Sequence, residues 1–353
     1  MTSELAPGGR RPSIQIESIA PTTDEEWDAT WRAYPYSTYF HSREWAQTWY
    51  QYSGGSIRPE PSTIVFSDGR RAVFPVSVQK THTAAPRRVL SSPAGTFGGW
   101  LAADLLQDVH GERLLSYARR EFRNITLIQN PFDPIAAKLF TPGVWTASDF
   151  TQVIDYQVGL DVINDRLRRN QILRKYKQGI RAGLELVKVT DAASVRRYGA
   201  IYAACQSRWG DEVTSHYGPA LFQSLRIGSP NIDFWVVVRN GEMIAGGPFL
   251  KAGKFHVVSW LTLADPAFLS FKPYEFLYYT LIEHYGQAGF RFFDFNQSGG
   301  HIGVAKFKAS FGAMKLASNV LSHSSTSHRV VKWAAAMTRT MAKALRRARE
   351  PGG

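Results

Sequence analysis

A chain of 353 residues, 44% hydrophobic and 13% aromatic, is a folded protein long enough for two cores of ordinary size. No apolar run is long enough to span a bilayer, and a single cysteine, Cys205, excludes an intramolecular disulfide, so the expectation is a cytoplasmic protein. The net charge of +13 is concentrated in two segments, 165–181 and 323–353, each with seven basic residues and one acid, which argues against a uniform coat for nucleic acid.

Residues 1–13 carry charge without an apolar core and read as a disordered leader rather than a secretory signal. Two Trp-rich helical stretches follow, EEWDATWRAY and SREWAQTWYQYSGG. A hairpin then turns at Asp68-Gly69, an amphipathic helix places Leu106, Val109, Leu114, Tyr117 and Ala118 at helical spacing, and 124–129 returns as a strand. The basic segment 165–181 reads as one helix with Leu167, Leu173, Tyr176 and Ile180 on its apolar side, capped by Asn164 or Asp165 and ended by Gly183. Its cations form either a solvated face or a seat for an anionic ligand.

The same order of elements then recurs. Helical SVRRYGAIYAACQSRWG and GPALFQSLRIGS precede a long meander that turns at Asn240-Gly241. The helix KPYEFLYYTLIEHYGQAG and the strand FRFFDF close the copy. The expected boundaries are a first α/β unit at 14–160, a second at 161–320, and a basic amphipathic tail helix within 321–353, where Trp333, Met337, Met341 and Leu345 fall on one stripe. The tail either packs back on the first unit or lies against an anionic membrane surface.

The segment 289–312, GFRFFDFNQSGGHIGVAKFKASFG, carries the strongest signal: an aromatic strand ends in polar residues, a glycine-rich loop and a lysine-bearing helix. Free backbone N–H groups at such a junction can hold an anion or a carbonyl oxygen. There is neither an H-E-x-x-H nor a Cys/His pair, so no metal is expected, and no Walker A, Rossmann or G-x-S-x-G signature is present. Cys205 reads as a packed thiol, and His301 as a base in the glycine loop or a solvent-facing residue there.

Three stretches resemble the FemAB-like branch of the GNAT acyltransferase superfamily: NQILRKYKQGIRAGLELVKV, the RNGEMIAGGPFLKAGKFHVVSWLTLAD meander, and the 289–312 segment. There the family's Asp, Phe-Lys pair and Gly fall on Asp294, Phe307-Lys308 and Gly312. The match covers roughly 160–320, with FHSREWAQTW and SSPAGTFGGW as smaller pieces before it. The resemblance implies an α/β (α+β) fold of two tandem GNAT-like domains, each a mixed, largely antiparallel sheet flanked by helices. It implies an acyltransferase with no tightly bound cofactor, its donor a co-substrate (aminoacyl-tRNA or acyl-CoA). The implied partners are tRNA and an envelope glycan or peptide precursor of peptidoglycan or exopolysaccharide, met in a bacterial cytoplasm, with peripheral membrane contact through the tail helix. The Arg/Gln-x-x-Gly-x-Gly/Ala loop of acetyl-CoA enzymes is missing after FHVVSW, where LADPAFLSFKPYEF stands instead. An acetyl-CoA enzyme acting on an amino sugar, and a scaffold that lost its chemistry, are the alternative readings.

Catalytic expectations fall on Lys308 and Asp294. Lys308 is read as an electrophilic group for an oxyanion or leaving oxygen, against a plain ion pair with Asp294. Asp294 is read as a base of raised pKa or as an anchor of the following loop. Asn296 and Gln297 are candidates for substrate hydrogen bonds or for the turn itself. Tyr202, Arg208 and Trp209 would face the cleft, Arg208 towards an acceptor phosphate or carboxylate. Tyr274 and Lys272 would contact the donor, and Gly246 and Gly247 would mark a bulge or close backbone approach beside it.

Overall fold

The computed structural model describes residues 14–80, 87–140, 146–209 and 217–324. The repeated order of elements is present, and both copies are mixed α/β. In the later copy one eight-stranded sheet runs Leu184–Val189, Ile232–Arg239, Glu242–Ala252, His256–Ser259, Phe292–Gln297, Phe150–Asp155 and Met314–Ala317, with Leu263–Ala264 beside Glu242–Ala252. In the earlier copy the sheet is divided. Ile16–Pro21, Ser62–Phe66 and Arg71–Phe74 form one part, and Ile57–Pro59, Ser77–Gln79, Arg88–Leu90, Asn124–Ile128, Val320–Ser324 and Thr146–Ala147 the other. Pro75, which lacks an N–H, stands at the break, where the later copy has the unbroken strand Glu242–Ala252. Each copy has one parallel pair, Arg88–Leu90 with Asn124–Ile128 and His256–Ser259 with Phe292–Gln297.

The copies exchange strands. Phe150–Asp155, before residue 160, inserts between Phe292–Gln297 and Met314–Ala317 of the later sheet. Val320–Ser324 returns to insert between Asn124–Ile128 and Thr146–Ala147 of the earlier one. The stretch 321–324 is therefore strand; the expected tail helix and the leader lie outside the described residues.

An aromatic core joins the copies. Trp45 of the helix Arg43–Tyr52 meets Trp260 edge to face at a centroid distance of 4.8 Å, and Trp49 meets Tyr217 at 5.2 Å. Tyr39, Phe40 and Phe97 from the earlier copy, and Tyr198, Tyr202 and Phe222 from the later, belong to the same buried cluster. Such aromatic packing supplies much apolar burial per residue.

The basic segment departs from expectation. It forms two helices, Leu160–Arg169 and Ile172–Arg181, broken where Gln171 takes a left-handed φ of 64°. The first begins after Gly159, whose φ is 90°, so Asn164 and Asp165 are not caps; Asp165 instead pairs with Arg168 and Arg169. The break shifts the phase of the second helix, burying Ile172 fully and leaving Ile180 50% exposed. Tyr176 stacks on Phe276 and Tyr279, and Gly183 ends the helix at φ 74° as expected.

Gly246 and Gly247 lie within Glu242–Ala252, where a Cβ on Gly246 would stand 2.4 Å from the Trp235 carbonyl oxygen and 2.8 Å from Val236 Cα. On Gly247 it would stand 2.8 Å from Thr262 Cα. Both are close backbone approaches, and the register shift in this pair falls earlier, between Val237 and Val238. Backbone cannot yield as a side-chain tip can, so Gly246→Ala is expected to lower stability by about 2 kcal/mol or more. Urea unfolding of the variant beside wild type measures it.

Candidate functional site

The strand Phe292–Gln297 follows its parallel neighbour for only three residues, His256 to Val258 against Phe292 to Asp294. Its pairing with Phe150–Asp155 then slips between Asp294 and Gln297. Asn296 marks the slip with a left-handed φ of 65°, a conformation Asn tolerates better than most residues. Ser298-Gly299-Gly300 lead into the helix Ile302–Ser310, with the loop glycines exposed.

Asp294 is fully buried and accepts three hydrogen bonds. Thr151 Oγ1 donates to Oδ1 at 2.5 Å, Asn296 N–H to the same oxygen at 2.7 Å, and His256 Nε2–H to Oδ2 at 3.0 Å. This arrangement makes it an anchor for the turn at Asn296; its carboxylate has no open path to a substrate amine. Neither Thr151 nor His256 stood out in the sequence. Thr151 belongs to the exchanged strand, and the only signal for His256 was a polar residue in the apolar run HVVSW.

Lys308 is 7% exposed on the last turns of its helix and does not ion-pair with Asp294. Its ammonium donates to the Asn296 carbonyl at 2.8 Å and the Gln297 carbonyl at 2.9 Å. Of its three N–H bonds, one is unspent among the described residues. Burial pulls its pKa down to about 8, with Asp294 and then Asp149 opposing the fall. Gln297 Nε2 donates to Ser318 Oγ, which donates in turn to the Gln129 carbonyl, so the site is tied to the point where the chain crosses back.

The remaining candidates form two other groups. Gly246, Gly247 and Tyr274 share one wall: Gly246 pairs with Leu263, Gly247 abuts Thr262, and Ala264 N–H donates to Tyr274 Oη at 2.9 Å. Burial raises the Tyr274 pKa, and its ring meets Phe307 edge to face at 5.7 Å, which joins this wall to the lysine helix. Lys272 has φ 63° and joins the short turn Pro266–Phe271 to the helix Pro273–Gln287, so its backbone has a structural duty. Tyr202 is 2% exposed inside the aromatic core, with its pKa raised by burial, and presents no surface to a ligand. The Arg208 and Trp209 side chains lie outside the described residues. Cys205 is buried with its thiol towards the Ala264 carbonyl. Among the described residues no cluster of three His, Cys, Asp or Glu side chains is placed to hold a metal, and no helix is long and apolar enough to cross a membrane.

Residues 166–309 match the family model of the acetyltransferase (GNAT) domain. The chain thus carries a GNAT domain over those residues. The crystal structure of FemX superposes on this chain with a TM-score of 0.65 at 12% identity, over 86% of this chain and 96% of that one. The C-terminal domain of a protein provisionally named lysylphosphatidylglycerol synthetase, from Agrobacterium fabrum, gives 0.51 at 12% identity, over 78% and 87%. L-PGS from Bacillus licheniformis gives 0.50 at 11% identity, over 87% and 93%. At such identities the likeness is one of fold. No curated sequence matches this chain.

The lowered pKa of Lys308 makes stability depend on pH. The unfolded lysine titrates near its ordinary 10.5 and the folded one at about 8, so between these values the unfolded state binds more protons and stability rises with pH. Below pH 8 the cost of burying the charge is complete. Between pH 7.5 and 10.5 the unfolding free energy of wild type is expected to gain up to about 3 kcal/mol on that of Lys308→Met, which urea titrations of the two proteins at several pH values will show.

Proposed function

We propose that this protein is an acyltransferase that moves an aminoacyl or acyl group onto an amine of a peptidoglycan or polysaccharide precursor of the cell envelope, by direct attack between its two copies. The observation that carries the reading is the Lys308 ammonium, held on two carbonyls at the open end of the strand with one N–H to spare. The amine lone pair attacks the carbonyl carbon of the donor, and the oxyanion that forms takes the spare N–H. The ester or thioester bond then breaks with its electron pair on the leaving oxygen or sulfur, and the amine proton passes to that atom or to water. Alignment supplies a large part of the rate, on the order of 7–11 kcal/mol in favourable cases. Asp294 takes no proton in this scheme; it holds the turn that holds the lysine.

An aminoacyl ester of tRNA is the favoured donor. After His256–Ser259 the chain makes the turn Pro266–Phe271, capped by the Asp265 carboxylate, and its next helix starts with Pro273 at the first position. An acid at the turn and a proline lacking an N–H make a poor cradle for a CoA pyrophosphate. Arg166, Arg174, Lys177 and Arg181 are exposed on the paired helices of the basic segment and suit a phosphate-rich donor. A neighbour named for making lysylphosphatidylglycerol supports the same choice.

The test is product formation by purified protein from charged tRNA, or from acetyl-CoA, with an envelope-precursor amine as acceptor. Charged tRNA should support turnover, and Lys308→Met should lower kcat by about 100-fold or more with its circular dichroism unchanged. Turnover from acetyl-CoA alone would move the donor to a thioester, and undiminished turnover in Lys308→Met would place the chemistry elsewhere.

A further inference from the structure

Two histidines lie buried where the copies meet, His41 at 1% exposure and His256 fully enclosed. His41 Nδ1 accepts from Thr38 N–H, which leaves the ring hydrogen on the buried Nε2, with only a weak interaction with the Gly98 backbone. His256 spends its Nε2–H on Asp294, and its Nδ1 is also buried without a partner. Burial pushes the His41 pKa down to about 4; the Gly98 carbonyl opposes the fall and His256 adds to it. His41 is therefore neutral at ordinary pH. The Phe132 ring closes the other side of His256, edge to face at 4.8 Å.

The bonds at Asp294 are unevenly divided. Oδ1 takes two donors, from Thr151 and from the Asn296 backbone, whereas Oδ2 has His256 alone. A buried carboxylate oxygen stripped of its one donor is costly, and the nearest remedy is a cation. Lys308 is that cation: its charge already feels Asp294, with Asp149 as the other acid facing it. If the carboxylate turned towards Lys308, the Asn296 N–H would lose its acceptor. The left-handed turn would then lose its tie, and the two carbonyls that now hold the ammonium would swing away.

We propose that His256 is a positioning residue for Lys308: by occupying Asp294 it keeps the carboxylate from pairing with the lysine, which stays on the Asn296 and Gln297 carbonyls with an N–H to spare. The proposal rests on the reading of Lys308 as the group that meets the oxyanion. A lysine locked in an ion pair would be a weaker donor to that oxyanion, so His256 controls the electrophile without touching substrate.

The test follows the ionisation of Lys308 itself, independently of turnover. Protein labelled with 13C at the lysine ε-carbon is titrated by NMR, with Lys308→Met used to assign the signal. In His256→Met the Lys308 pKa is expected to rise from about 8 to about 9 or higher. In His256→Gln, whose amide can present an N–H near the place of Nε2, it should stay near the wild-type value. The alkaline limb of the pH–kcat profile should move with it, and kcat should fall in His256→Met with KM little changed. An unchanged or lowered Lys308 pKa in folded His256→Met overturns the proposal. Should that variant fail to fold, Thr151→Val, which removes a donor from Oδ1, must give a smaller rise of the same sign, and no rise again overturns it. Loss of turnover in Lys308→Met is a separate matter, so inactive wild type with the expected titrations would sink the acyl-transfer reading and leave His256 as the residue that sets the lysine.

Discussion

The reciprocal exchange of one strand between two sheets is the constraint on which the rest depends. Phe150–Asp155 completes the later sheet and Val320–Ser324 the earlier, so each copy contains backbone hydrogen bonds that only the other can supply. A strand edge left unpaired would expose a row of donors and acceptors, and the exchange removes that exposure at both sites. It also fixes the relative placement of the copies more firmly than side-chain packing alone. The aromatic core around Trp45, Trp49 and Trp260 then closes on a frame already set by covalent crossing.

The candidate site is assembled from that frame. Asp294 and Lys308 come from the later copy, Thr151 from the exchanged strand, and Gln297 is tied through Ser318 to Gln129 of the earlier copy. Asp294, Lys308 and His256 each have a partner from a different element, which a lone β-α unit could not provide. The lysine is held by carbonyls rather than by a carboxylate. Carbonyls satisfy its hydrogens without cancelling its charge, and low solvent access keeps that charge effective towards a developing anion.

Much of this was legible in the chain and some was not. Asn240-Gly241 announced its hairpin because few other pairs adopt two positive φ values so readily, and Asp68-Gly69 did so through the glycine alone, whose φ is 83°. The Asp-to-Lys segment announced a strand, loop and helix because its apolar spacing changes at Ser298. The break at Gln171 was invisible, since neither Asn170 nor Gln171 is a strong breaker, and the close packing of Gly179 on Phe276 and Leu184 beyond it is a tertiary contact. The exchange of strands was equally hidden: local pattern shows that 150–155 is a strand, not which sheet receives it. For the same reason the partners of Asp294 were missed, because Thr151 lies 143 residues away and acquires meaning only through pairing.

The crossing strands also order events during synthesis. Ser324 bonds back to Asn124, 200 residues earlier, and the strand Asn124–Ile128 has no other neighbour on that side. At ordinary translation rates of 5–20 residues per second, the first copy waits about 10 to 40 seconds for its missing strand. Throughout that interval an apolar edge bearing Ile125, Leu127 and Ile128 stands open on the nascent chain. A loop of 200 residues must close before the first sheet is complete, and pairing across such a separation slows folding.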